Sequence, residues 1–203
     1  MDLPDYLFNR QDESDDEYFY ALPRLVTHID DKTIAALTDY YREVLSPNHK
    51  ILDLMSSWIS HLPEDKSYRH VTGLGMNQEE LNKNPRLDVR LVHNLNTHPE
   101  VPFEDEAFDT ILIAVSVQYL KQPLKVFKEI ARILKPAGIC VVAMSHRLFP
   151  TKAIYAFQAV SASDRVHLVT HYMQQTELID EVEFIDRSPV SADPLWIVRG
   201  RKN

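Results

Sequence analysis

Two unbroken apolar runs, TILIAVSV at 110–117 and ICVVAM at 139–144, flank the segment QPLKVFKEIARILKPAG, and this order restricts the fold more than any other feature of the chain. A strand without polar alternation is buried on both faces, which requires helices above and below a sheet. The segment between the runs carries Pro123 in its first turn and Leu124, Phe127, Ile130 and Leu134 on one stripe. It stops at Lys135-Pro136 with Gly138 beyond, so it reads as a helix. Strand, helix and parallel strand in that order form the unit of a doubly wound α/β sheet.

The alternation extends in both directions. Ile51 to Met55 is predicted as the first strand, HVTGL (70–74) as the second and VRLVHNL (89–95) as the third, with TILIAVSV as the fourth. After ICVVAM, helical segments are expected around TKAIYAFQAV and from Val169 to Ile179. EVEFID and PLWIVRGR, joined by RSPVSAD, close the chain as two strands. Upstream, Ile34, Leu37, Tyr41 and Leu45 follow the start signal Asp30/Asp31 at helical spacing. The expectation is one Rossmann-like domain over 1–203 with a mostly parallel doubly wound sheet and an antiparallel C-terminal strand. Its α/β core spans 48–203, a helical cap spans 18–47, and 1–17, with Asp12, Glu13, Asp15, Asp16 and Glu17, is expected as a mobile acidic arm.

The net charge of −8, from 22 Lys plus Arg against 30 Asp plus Glu, opposes a phosphate-backbone partner, so nucleic acid is not expected. No apolar stretch approaches the ~20 residues of a membrane span, and MDLPDYLFNR lacks the pattern of a signal peptide. With its single cysteine, Cys140, in the apolar run ICVVAM, the chain is expected in the reducing cytoplasm. His167 and His171 have the i, i+4 spacing of a chelating pair, but no third ligand stands nearby and no metal is expected. The oligomeric state is open.

In an open α/β sheet, ligands bind beyond the carboxyl ends of the strands, where the strand order reverses. The segments there are MSSWISH, GLGMN, HNLN and SVQYL. The first follows a strand ending in Leu52, Asp53 and Leu54, where a nucleotide-binding chain would place glycines. This chain has only 4 glycines in 203 residues, and none in that loop.

The stretch VPFEDEAFDTILIAVSVQYLKQPLKVFKEIARILKPAGICVVAMS resembles the corresponding region of class I S-adenosylmethionine-dependent methyltransferases of the small-molecule, type 11-like kind. The resemblance rests on Val101-Pro102-Phe103, Phe108-Asp109 and Arg132-Ile133-Leu134-Lys135-Pro136-Ala137-Gly138. It implies S-adenosylmethionine as the cofactor. The family's first motif resembles Asp-x-Gly-x-Gly-x-Gly, and here Asp53 is followed by Met55, Ser57 and Ile59 at the glycine positions, as in a glycine-poor subgroup. The family's ribose-binding acid falls on Gly75, and its adenine-contacting acid on Asn94, followed by Leu95.

Carried over, the resemblance implies a cofactor site of Asp53, Met55, Ser56, Ser57, Trp58, Gly75, Met76, Asn77, Asn94, Leu95 and Ser116. Ser56 and Ser57 are expected to cap a helix whose free N–H groups receive the methionine carboxylate. Trp58 either faces the sulfonium or fills space. Asn77 or Glu79 would replace the ribose acid, and Asn94 would accept from adenine. Methyl transfer needs an aligned nucleophile, exclusion of water and removal of a proton, for which His28, His61, Tyr119 and His146 are candidates. Arg147 with Lys152 would hold an anionic substrate or form surface charge. The expected activity is methylation of a small molecule. The alternatives are a catalytically silent protein that kept the fold and, less favoured because the glycine loop is missing, a nicotinamide-dependent oxidoreductase.

Overall fold

A computed structural model describes residues 3–203, so residues 1 and 2 of the expected arm lie outside the described residues. Seven strands form one sheet: β1 (Lys50–Leu54), β2 (His70–Gly75), β3 (Val89–Val92), β4 (Phe108–Ala114), β5 (Leu134–Met144), β6 (Ile179–Asp186) and β7 (Trp196–Lys202). Their order is β3-β2-β1-β4-β5-β7-β6. The first five run parallel, and β7 lies antiparallel to both β5 and β6. Strand order reverses between β1 and β4, where Leu52 pairs with Ile111 and Asp53 with Leu112.

Alternate residues along each strand feed two cores. Leu52, Leu54, Ile111, Ile113, Cys140 and Val142 pack on one face with Phe127 and Ile130 of α4 (Pro123–Ile133) and Tyr172 of α6 (Ala162–Gln174). Ile51, Leu112 and Val141 pack on the other face with Leu37 and Tyr41 of α2 (Asp31–Val44). Burial on both faces accounts for the unbroken apolar runs. The remaining helices are short: α1 (Asp16–Phe19), α3 (Gln78–Lys83) and α5 (Tyr155–Ala159).

Three local expectations are corrected. The cap is helical only over α1 and α2, because Pro23 breaks the segment between them and the Asn77 amide takes the Tyr20 and Ala21 carbonyls (2.9 and 3.2 Å). No helix separates β1 from β2: residues 55–69 cross over as an irregular loop, consistent with a serine-rich, Pro63-containing sequence that lacks an apolar stripe. The acidic arm is docked. Arg10 pairs with Asp16 at 2.8 Å with both side chains nearly buried, and the fully buried Lys152 reaches Asp12 at 3.1 Å and the Ser14 carbonyl at 2.7 Å. Among the described residues, no helix is long and apolar enough to cross a membrane.

Candidate functional site

At the carboxyl ends of β1 to β4 lies a cleft of about 1180 Å³, counting its open mouth, roofed by the segment from Asp16 to Ile29. Its floor begins at Asp53, which is buried. The hydroxyls of Ser56 and Ser60 both donate to its Oδ2, at 2.6 and 2.5 Å, and burial raises its pKa to about 6 against the lowering effect of these two bonds. Ser56 N–H donates to the Leu74 carbonyl at 2.8 Å. The serines therefore fold an irregular crossover and do not cap a helix.

The loop nevertheless keeps a bend suited to glycine. Met55 stands at φ 60°, in the left-handed region. His61 (φ 55°) and the β-branched Val115 (φ 50°) share this strain, and all three line the cleft. At Gly75, a Cβ would lie 2.1 Å from the Ser56 carbonyl oxygen, so the loop itself occupies the place where a ribose-binding side chain would begin. Neither of the expected substitutes lines the cleft. Asn77 caps α3 and holds the roof, and Glu79 is exposed. The buried acid on this wall is Glu80, which sequence reasoning missed although Asn77-x-x-Glu80 is a helix-start signature. Glu80 accepts Ser57 Oγ at 2.6 Å and the Arg24 backbone N–H at 2.7 Å, joining loop and roof. Trp58 makes a second link by donating Nε1–H to the Val26 carbonyl at 3.1 Å.

Beyond β3, Asn94 Oδ1 accepts the Asn96 N–H at 3.0 Å, so the side chain turns the loop and leaves its buried Nδ2 without a partner. Asn94 thus presents a donor where an acceptor was expected. Leu95 and Met76 line the same wall, and Ser116, after β4, carries a buried hydroxyl without a partner.

Of the proton-transfer candidates, His28, His61 and Tyr119 come together in the cleft and His146 does not. His146 sits 3.3 Å from Asp193, which Arg147 also grips at 3.0 Å, so these two side chains staple the β6–β7 loop. Burial, reinforced by the nearby His28, lowers the pKa of His61 to about 4, and its buried Nδ1 is unpaired. Burial also lowers the pKa of His28, partly opposed by Glu80. Tyr119 Oη accepts the Phe149 N–H at 2.8 Å and burial raises its pKa, which makes it a positioning group and a poor base. Cys140 is buried with its thiol pushed up to about 12, a core residue. His167 and His171 lie on α6, away from the cleft.

A family model described as "Methyltransferase domain" matches residues 56–142. A curated relative, the demethylmenaquinone methyltransferase of Bacillus licheniformis, is 32% identical over 69 residues, covering 33% of this chain and 29% of that protein. Three solved structures share the fold. A protein of Pyrococcus horikoshii has a TM-score of 0.64 at 16% identity, over 92% of this chain and 99% of its own. An S-adenosylmethionine-dependent methyltransferase of Mesorhizobium loti has 0.58 at 14%, over 83% and 98%. The cyclase SpnF has 0.62 at 16%, over 82% and 80%.

Proposed function

We propose that the chain is a class I S-adenosylmethionine-dependent methyltransferase that methylates a small molecule bound beneath the roof of the cleft, a reading supported by the methyltransferase-domain match over residues 56–142 and by the shared fold. The observation that carries this reading is that the buried, unpartnered Asn94 Nδ2, Ser116 Oγ and His61 Nδ1 all belong to residues lining one cleft. Buried polar groups are nearly always satisfied, so orphans gathered in one cleft mark a place that a polar ligand completes.

The residues present fit S-adenosylmethionine. Asn94 and the backbone at Leu95 would meet the adenine, Glu80 would stand on the ribose side in place of an acid at Gly75, and the bend at Met55 to Ser57 with Ser116 would receive the methionine end. When bound, this cofactor supplies an electrophilic methyl group on a sulfonium. The protein's part is to exclude water with the roof, hold the acceptor between Tyr20, Tyr119 and Phe149, and accept a proton where the acceptor carries one. His28 fits the last role best, because its lowered pKa keeps the imidazole neutral near pH 7, whereas His61 is too weak a base and serves as a hydrogen-bonding group.

Thermal unfolding with added S-adenosylhomocysteine tests this directly. A hundredfold excess over Kd stabilises the native state by about 2.7 kcal/mol, which raises the Tm of a domain of this size by roughly 5–10 °C. NAD is expected to give no shift. No shift with either adenosylmethionine or adenosylhomocysteine at millimolar concentration would leave a methyltransferase fold without the activity, as in the silent binding protein.

A further inference from the structure

Arg24 is the only lysine or arginine that lines the cleft among the described residues. Its guanidinium lies over the ring of Phe19 at 4.2 Å, with Phe149 at 5.6 Å and Tyr20 at 5.9 Å. Nη1 is buried and has no hydrogen-bond partner, and no carboxylate lies within 4.0 Å of the guanidinium among the described residues. Glu80, the nearby acid, spends its two oxygens on Ser57 Oγ and on the Arg24 backbone N–H. The cations for which the sequence left open either an anionic substrate or surface charge are engaged elsewhere: Arg147 with Asp193, and Lys152 with Asp12 and Asp16.

We propose that Arg24 binds a carboxylate of the acceptor, and that the acceptor is an aromatic or similarly planar monoanion. Stacked guanidinium is held flat and rigid, the state in which its fork binds a carboxylate bidentately at least entropic cost. Phe149 places this charge on the acceptor side of the cleft. It follows β5, stacks on Tyr119 at 5.8 Å and meets His28 edge-on at 5.1 Å, whereas the adenine and ribose positions, Asn94 and Gly75, follow β3 and β2. One free positive charge, in a cleft that also carries Glu80 and Asp16, suits a monoanion better than a phosphate dianion. Tyr20, Trp58, Tyr119 and Phe149, which line the same cleft, offer flat apolar surface.

The inference deepens the methyltransferase reading by naming its substrate class, and calorimetry separates the two. The probes are benzoate, cinnamate and indole-3-acetate, each beside its uncharged amide, titrated into the parent, Arg24→Gln and Arg24→Lys. S-adenosylhomocysteine is titrated into the same three proteins, and thermal melts confirm that the variants are folded. At least one carboxylate is expected to bind the parent about tenfold or more tightly than its amide. Arg24→Gln abolishes that preference, Arg24→Lys keeps part of it, and adenosylhomocysteine affinity stays unchanged in both. Equal binding of acid and amide, a preference that survives Arg24→Gln, or no binding of any carboxylate overturns the proposal. So does a loss of adenosylhomocysteine affinity in Arg24→Gln with the probes unaffected, which assigns the guanidinium to the cofactor's own carboxylate. Carboxylate binding by a parent that ignores adenosylhomocysteine would instead overturn the methyltransferase reading and leave the Arg24 site standing.

Discussion

Met55 shows what a glycine-free loop costs and what it retains. A left-handed conformation costs a non-glycine residue about 1–2 kcal/mol, yet the bend survives because Asp53, Ser56 and Ser60 bind one another beneath it. The loop thus combines a glycine-like bend at Met55 with a closed space at Gly75. The Ser56 carbonyl lies against Gly75, so an acid placed there collides with the loop. Asp53 also leaves a measurable trace in stability. Its pKa rises from 3.8 to about 6 on folding, so folding favours its protonated form and its contribution falls as pH rises through this window. Asparagine preserves an acceptor for both serine hydroxyls and removes the buried charge. Asp53→Asn is therefore expected to be more stable than the parent by about 1–3 kcal/mol above pH 6, with the gain vanishing towards about pH 4. Urea denaturation across that range checks the sign, and a variant less stable than the parent near pH 7 refutes it.

At the scale of elements, the unusual feature is the crossover of residues 55–69, which joins two parallel strands without a helix. It needs other anchors. The fully buried Asn84 donates to the Ser57 carbonyl at 2.9 Å and to Ser60 Oγ at 2.8 Å, and Thr38 Oγ1 donates to the His61 carbonyl at 3.0 Å. Asn84→Ala leaves the Ser57 carbonyl without its amide donor, at a cost of about 1–3 kcal/mol. Hydrogen exchange in this variant should quicken from Met55 to Leu62 while β1 and β4 stay protected; unchanged exchange in the loop would show that Asn84 does not hold it. None of these anchors is legible in the sequence, because each joins segments more than twenty residues apart through a single polar side chain. What periodicity does reveal is the apolar repeat of strands and helices, and α4 and the central strands lie close to where it places them, although β5 already begins at Leu134, which the reading put on the helical stripe. Where side-chain hydrogen bonds override periodicity, the reading errs. β3 stops at Val92 because Asn94 turns the chain, and α6 starts at Ala162 because Ser161 caps it.

At the scale of the whole molecule, the switch between β1 and β4 brings four strand ends into one cleft, and most of the residues singled out there from sequence do line it. Absent from that reading were the residues contributed by the roof, Asp16, Tyr20 and Arg24, and Phe149 after β5, since nothing in the local pattern says that an acidic arm folds over the site. Asp16 is held there by Arg10, Lys152 and Asn96 Nδ2, the last at 2.8 Å, and two of these partners, Asn96 and Lys152, come from distant stretches of chain. The central claim is that a class I methyltransferase cleft persists beneath this roof without its glycine loop. Hydrogen exchange with and without S-adenosylhomocysteine tests it most directly. The account predicts slowed exchange concentrated at residues 55–61, 75–77, 93–96 and 114–116. Protection absent from these four loops, or confined to another face of the molecule, would contradict it.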